Sequence, residues 1–130
     1  MKTTIALLLS FSFAGASLLA QHDVTVKSLL SKDLPDVPGK ELSMITVEYA
    51  PGAQDPIHTH DAHALVYVLE GSIVMQVKGG APVTLKPGET FYEAPGDVHV
   101  VGRNASTNAP AKFVVVLLKQ KGAPILVPSK

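Results

Sequence analysis

The 130-residue sequence contains no cysteine, no excess charge of either sign and no apolar run long enough to span a membrane comfortably. Without cysteine, neither a disulfide framework nor a zinc–thiolate site can form. Eleven Lys and Arg balance eleven Asp and Glu, so the charge gives no reason to expect nucleic acid or an anionic membrane as a partner. A chain of this length forms one ordinary domain whose core is large enough to fold without cross-links.

The start of the chain is typical of an export signal. Lys2 supplies one positive charge, and a short apolar stretch and then small residues follow it. Cleavage after Ala16 or after Ala20 would suit this pattern. A retained membrane anchor is the alternative, but the apolar stretch is short and contains serines. We predict a signal peptide over residues 1–20, a single domain over 21–130, an exported periplasmic or secreted protein, and no membrane span in the mature form.

The rest of the chain is predicted to form short β-strands separated by turns. The apolar or β-rich runs are ELSMITVEYA, ALVYVLE, IVMQVK, PVTLK, ETFYEA, DVHVV, AKFVVVLLK and PILV. Residues 21–40 precede them as an N-terminal strand and an irregular segment with two prolines and a glycine. Strands of this length and spacing, rich in Val, Tyr, Phe and Thr, are typical of an all-β sandwich or barrel. No segment after the signal has the pattern of a long helix.

Two of these runs, LVYVL and FVVVLL, are almost continuously apolar instead of alternating. Such a pattern indicates that both faces of the strand are covered. One face would line the barrel, and the other would pack on a second sheet or on a partner subunit. We therefore predict a homodimer, and the alternative is that the N-terminal segment covers the outer face.

Four of the five histidines lie in two short segments, HTHDAH and DVHVV. Side chains two residues apart on a strand share a face at a spacing of about 6.5 Å, so His58 and His60 can direct both imidazoles at one point. His99, on a later strand, can complete a set of three. Three neutral imidazoles suit zinc, iron, copper, nickel or manganese. For any single histidine, the alternative is a polar residue that binds no metal.

The segment PGAQDPIHTHDAHALVYVLEG resembles the first motif of the cupin superfamily, in which a glycine precedes HxH, a glutamate and a second glycine. Gly52, His58 and His60 fall on those positions. The segment GETFYEAPGDVH is similar to the second motif, with His99 at the expected interval. The two motifs cover residues 52–104. The pattern resembles that of small exported bacterial cupins, and this resemblance implies an all-β, single-domain jelly-roll barrel.

The sequence departs from the first motif at its glutamate. Counting back from Gly71, the glutamate position is occupied by Ala64, so we expect the usual carboxylate ligand to be missing. Either the three histidines hold the ion together with extra water, or His63 is a fourth ligand. Strict alternation turns His63 to the opposite face, so this second account needs a turn or bulge near Asp61. Without one, His63 is an exposed histidine at the barrel mouth.

The residues around the ion follow from the resemblance alone. It implies that Tyr67, Gln76 and Tyr92 lie on strands around the site, where they would orient a substrate, although a tyrosine on a strand is more often a packing residue. Glu93 is one of three carboxylates that could accept the outer N–H of a ligand imidazole. An exposed turn carboxylate is the alternative for it.

The superfamily implies one divalent transition metal ion (Fe, Mn, Zn, Ni or Cu) and a small-molecule substrate. Dioxygenase-type or isomerase/lyase-type chemistry would fit an ion with open positions, and the missing carboxylate favours the three-histidine oxygenases. The pattern identifies no catalytic base or nucleophile. One alternative is a non-catalytic module of the cell envelope that binds a small ligand or a metal. Another is a structural dimer without a working site.

Overall fold

The computed structural model describes residues 24–129, which form two five-stranded antiparallel sheets and contain no helix that could cross a membrane. The strands are β1 (Val24–Asp33), β2 (Lys40–Tyr49), β3 (His58–Thr59), β4 (Ala62–Glu70), β5 (Ile73–Val77), β6 (Val83–Leu85), β7 (Thr90–Glu93), β8 (His99–Asn104), β9 (Ala111–Gln120) and β10 (Val127–Pro128). The first sheet has the order β1-β2-β9-β4-β7 and the second β10-β3-β8-β5-β6. The prediction of an all-β domain is confirmed, whereas the predicted signal over 1–20 lies outside the described residues.

Glycines end several strands, and Gly71 is the most constrained of them. Its φ is +68°, a left-handed conformation that favours glycine. A Cβ at this position would lie 2.5 Å from the carbonyl oxygen of Pro110 and 2.9 Å from the Cα of Ala111. The turn after β4 therefore requires glycine for both its conformation and its close backbone approach.

The core lies between the inward faces of the two sheets. On β9, the side chains of Phe113, Val115 and Leu117 are buried, and the residues between them are only partly covered. Tyr49 meets Phe113 edge to face, with ring centroids 5.1 Å apart. The run FVVVLL thus alternates between the core and the outward face, although every residue in it is apolar.

The outward face of the first sheet carries an apolar row that crosses all five strands. Strand register aligns Leu30, Met44, Val116, Leu65 and Tyr92, one from each strand. Leu65 is 51% exposed and Tyr92 54% exposed. Because β1 extends this sheet at its edge, the described part of the N-terminal segment does not cover the row.

Candidate metal centre

Four buried side chains converge between the sheets: His58, His60, Glu93 and His99. One ligand atom from each lies within 4.8 Å of the others, and the four residues are only 2–8% exposed. Ionisable groups are rarely buried so deeply unless they are paired or bind a cation. The cluster is therefore the candidate functional site among the described residues.

Strand pairing brings the three histidines together. His58 on β3 lies directly opposite His99, the first residue of β8. His60 follows His58 by two residues, and their rings meet at 4.8 Å between centroids. Both imidazoles thus lie on the same side of the strand, as the alternation in HTH predicts.

The carboxylate comes from β7, next to the strand on which the motif places it. Glu93 pairs directly with Ala64 across β4 and β7, and both residues face inward. Glu93 is therefore a buried member of the cluster, 2% exposed, instead of an exposed turn carboxylate. This placement corrects the expectation of an all-histidine set, because the alanine leaves room for a carboxylate from the opposite position.

The separations within the cluster fit the surroundings of one ion. His58 Nε2 lies 3.2 Å from both His60 Nε2 and His99 Nδ1. Glu93 Oε1 lies 3.0 Å from His99 Nδ1, and Glu93 Oε2 lies 3.4 Å from His60 Nε2. Two ligand atoms about 2.1 Å from one ion are about 3.0 Å apart at a right angle and about 3.4 Å apart at a tetrahedral angle. All four separations lie within these limits.

The hydrogen bonds outside the cluster place the protons of two imidazoles. His58 Nδ1 donates to the carbonyl of Pro56 at 2.7 Å, and His60 Nδ1 donates to the carbonyl of Ile125 at 2.5 Å. Each bond leaves an unprotonated Nε2 directed at the other. Two lone pairs at 3.2 Å repel each other unless a cation or proton lies between them, so the arrangement fits a metal ion.

The electrostatics of the cluster favour the forms of Glu93 and His99 that bind metals. Burial opposes ionisation of Glu93, but the interaction with His60 and the other neighbouring imidazoles hold its pKa below the usual value. Burial lowers the pKa of His99. Burial acts the same way on His60, but Glu93 and the Ile125 carbonyl outweigh it and raise the pKa of His60. A carboxylate and neutral imidazoles are the ligand forms.

Two buried polar atoms of the cluster, Glu93 Oε1 and His99 Nε2, have no hydrogen-bond partner in the described part of the chain. Such atoms are rare in folded proteins and often mark a bound ion or water. Of the two, Glu93 Oε1 lies among the ligand atoms, because the His99 nitrogen beside His58 and Glu93 is Nδ1. The ring of His99 lies against Gly102, where a Cβ would be 2.9 Å from His99 Cε1 and 3.0 Å from Asp55 Oδ2. The glycine therefore makes room for both side chains.

His63 lies on the other side of the first sheet. The pairing of β4 with β9 runs without a register shift from Ala62 to Val68, so no bulge turns His63 inward. Its Nδ1 lies 2.6 Å from the Tyr92 hydroxyl, and the two rings stack at 6.0 Å. The structure does not bring this imidazole to the cluster.

Tyr67, Gln76 and Tyr92 also point away from the cluster. Tyr67 is 47% exposed and Tyr92 is 54% exposed, both on the outward face, and Gln76 Nε2 donates to the carbonyl of Gly80. Each of the three is one residue away from an inward-facing neighbour, such as Glu93 beside Tyr92. Their expected place around the site is thus corrected by the alternation of their strands.

A cavity of about 50 Å³ lies beside the cluster, and its other walls are almost entirely apolar. Asp55 is the one polar lining residue outside the cluster within residues 24–129. Its carboxylate accepts a hydrogen bond from the hydroxyl of the buried Tyr49, and burial raises the pKa of Asp55. Sequence reasoning missed Asp55 because nothing in PGAQDP distinguishes it from a turn residue.

Comparison with known families finds the cupin domain, whose family profile matches residues 45–117. Germin-like protein subfamily 2 member 2 of Arabidopsis thaliana is 33% identical over 108 residues, which cover 76% of this chain and 49% of that protein. The chain thus spans about half the length of this curated relative.

Several solved structures share the fold. The polyketide cyclase RemF of Streptomyces resistomycificus is 25% identical, with a TM-score of 0.62 over 82% of this chain and 71% of that one. A recombinant oxalate oxidase in complex with glycolate is 26% identical, with a TM-score of 0.63 over 81% and 54%. The lyase DddQ of Ruegeria pomeroyi, which acts on DMSP, is 21% identical with a TM-score of 0.68 over 95% and 59%, a likeness that shows the fold alone.

Proposed function

Because the chain belongs to the cupin domain family, we propose that it is a metal-dependent enzyme acting on a small organic molecule. The observation that carries this proposal is the buried set of three imidazoles and one carboxylate beside a nearly apolar cavity. His58, His60, Glu93 and His99 would hold one divalent ion, drawn from Fe, Mn, Zn, Ni and Cu. A bound ion with open positions supplies Lewis-acid or redox chemistry and lowers the pKa of a bound water.

The residues of the chain have separate tasks in this proposal. Glu93 supplies negative charge and, with the imidazoles, fixes the position of the ion. The apolar walls exclude bulk water, which strengthens polar interactions inside the cavity. Among the described residues, Asp55 is the remaining polar group that lines the cavity, so its carboxyl group accepts or donates the hydrogen bond that orients the substrate. Tyr49 holds this carboxyl group in place.

The ligand set does not choose between the reaction classes, so the choice rests on the similar enzymes. A carboxylate in the set removes the reason to prefer the three-histidine oxygenases. The similar structures include an oxidase, a polyketide cyclase and a lyase, and one fold supports all three chemistries. We propose oxidase- or dioxygenase-type chemistry first, because oxalate oxidase, at 26% identity, is slightly more similar to this chain than the polyketide cyclase at 25%. Isomerase/lyase-type chemistry is the next candidate.

A second candidate function is a non-catalytic module that binds a small ligand or a metal. The observation that favours it is the cavity itself, to which the described part of the chain contributes a single polar side chain besides the four cluster residues. Such a lining recognises a molecule without providing several groups for proton transfer.

Elemental analysis of the purified protein, followed by a thermal-shift screen with metals and small carboxylic and carbonyl compounds, tests these proposals. Binding to the native state raises the unfolding midpoint by mass action. Iron, copper or manganese with oxygen consumption in the presence of a stabilising compound supports an oxidase. Stabilisation by a compound that is recovered unchanged supports the binding module. A protein without metal that neither a divalent ion nor any of the compounds stabilises contradicts both.

Two further proposals concern assembly and location. The uncovered apolar row on the first sheet supports a homodimer in which two such faces pack together. The pattern of residues 1–20 supports export, and the intact mass of periplasmic or secreted material tests it. A species that keeps Met1 in the membrane fraction would contradict cleavage.

A further inference from the structure

We propose that residues 123–129 form part of the metal centre, as its outer support and as one wall of the cavity, and that Lys119 is the positioning residue that anchors them. The inference rests on the proposed function, because it assigns to this segment a role in metal retention and in the size of molecule admitted. It adds residues that lie outside the family match, which ends at residue 117.

The first observation is that these residues support the ligand strand. β3 is only two residues long, and it pairs with β8 through a single position, His58 opposite His99. β10 supplies two further pairs, Val127 with Thr59 and Pro128 with His58. The amide of Ser129 also donates to the carbonyl of Ile57 at 2.9 Å. Most of the pairing that holds β3 therefore comes from the C-terminal segment.

The second observation is a direct contact with a candidate ligand. The carbonyl of Ile125 accepts a hydrogen bond from His60 Nδ1 at 2.5 Å. This bond fixes the tautomer and the ring orientation that leave Nε2 free for an ion. The side chains of Ile125 and Leu126 line the same cavity. One short segment thus both orients a ligand and closes the space beside it.

The third observation is the anchor. Lys119 lies on the inward face of β9, opposite Glu41 on β2, and is only 4% exposed. Its ammonium group forms an ion pair with Glu41 and donates to the carbonyl of Ala123 at 2.5 Å. A buried ammonium needs such partners to offset the loss of water. The ion pair therefore holds the ammonium group in place, and its hydrogen bond to Ala123 fixes the start of the segment that turns back toward His60.

The closed segment also limits what the cavity admits. With residues 123–129 in place, the cavity is about 50 Å³. One water molecule occupies about 10–15 Å³ of such a cavity, so only a few non-hydrogen atoms fit. The substrate class that this segment selects is therefore a molecule of a few heavy atoms, and loosening the segment should admit larger ones.

The test compares Lys119→Met with Lys121→Met in the full chain. Lys121, two residues away, forms an ion pair with Asp33, but both side chains are about 60% exposed, so this variant is a matched control. The probe is Co²⁺ alone, with its dissociation constant measured by chelator competition and its visible spectrum reporting the ligand set. Hydrogen exchange of residues 123–129 is measured in parallel.

We expect Lys119→Met to raise the Co²⁺ dissociation constant about tenfold, as for loss of other groups that orient metal ligands, and to speed exchange in residues 123–129. Lys121→Met should change neither. Ser129→Pro removes the amide N–H that donates to the carbonyl of Ile57 without disturbing a buried charge. It should also raise the Co²⁺ dissociation constant. It keeps the proposal testable if Lys119→Met does not fold.

Wild-type affinity and exchange in both Lys119→Met and Ser129→Pro would overturn the inference while leaving the metal site intact. If the wild-type protein itself does not bind Co²⁺, the proposed function fails. The exchange measurement needs no metal, so in that case unchanged exchange in Lys119→Met would overturn the anchoring role separately, and faster exchange would support it.

Discussion

Neighbouring positions on β7 face opposite sides of the first sheet and meet different surroundings. Glu93 faces inward, opposite Ala64, and is 2% exposed. Tyr92 faces outward, opposite Leu65, and its hydroxyl meets the partly buried His63. Inside, a carboxylate and imidazoles lose their water and need a cation to offset that loss. Outside, similar polar groups keep part of their water, so one residue step along β7 separates the candidate metal centre from the outward face of the sheet.

The largest effect should come from removing an inward imidazole. His60→Ala or His99→Ala deletes one of four ligands, so we expect bound metal per chain to fall by about a hundredfold or more after dialysis against a mild chelator. Metal content is measured by elemental analysis, and circular dichroism confirms that each variant is folded. Full occupancy in His99→Ala would show that the two motifs do not share one ion.

The sequence predicts the histidines because their geometry is local. Parity within HTH needs only the strand itself, and the spacing to His99 belongs to the family motif. Glu93 joins the cluster through the register between β4 and β7, and Ile125 through a contact 65 residues away in the chain. Neither can be read from a pattern within one strand.

The misplaced substrate residue Tyr67 has a different lesson. The parity argument that turns His63 outward also turns Leu65 and Tyr67 outward, since they lie two and four residues later on the same strand. The alternation along the strand therefore already predicts an outward Tyr67, whereas the family resemblance alone implies a place beside the site. The apolar character of LVYVL hid the alternation, because the outward residues are as hydrophobic as the inward ones.

Glu93→Gln should have the next largest effect. The amide keeps the shape of the side chain but removes its charge, so we expect metal affinity to fall about ten- to a hundredfold. Chelator competition measures the change. Glu89→Gln is the matched control, because Glu89 is an exposed carboxylate in the turn before β7. Equal affinities in the wild type and Glu93→Gln would show that the carboxylate is not a ligand.

Moving the carboxylate across the strand pair gives a smaller, compensated effect. Ala64 and Glu93 occupy directly opposed inward positions, with Cβ atoms of such pairs about 5 Å apart. We expect Ala64→Glu combined with Glu93→Ala to retain metal within about tenfold of the wild type, whereas Glu93→Ala alone loses it. The comparison is made by chelator titration. If the double variant binds no better than Glu93→Ala, the two positions are not interchangeable around the ion.

On the outward face, Leu65→Lys should leave metal content unchanged and disrupt self-association. The substitution places a charge at the centre of the apolar row formed with Val116 and Tyr92, where burial in an interface would be costly. Sedimentation at micromolar concentration should show a wild-type dimer and a monomeric variant. A wild-type monomer would contradict the homodimer, and a dimeric variant would place the interface elsewhere.

The smallest effect should come from His63→Ala, the outward counterpart of the cluster substitutions. The substitution removes the imidazole and its one hydrogen bond with Tyr92 at a surface exposed to solvent. The free energy of unfolding should therefore change by about 0.5 kcal/mol or less. Bound metal should stay at the wild-type level, because the unbroken register of β4 from Ala62 to Val68 keeps this side chain on the face opposite the cluster. Urea unfolding and elemental analysis measure the two quantities. Loss of metal in His63→Ala comparable to that in His60→Ala would require β4 to bulge at Asp61 when the ion binds, and the fourth-ligand account would then replace the one argued from Glu93.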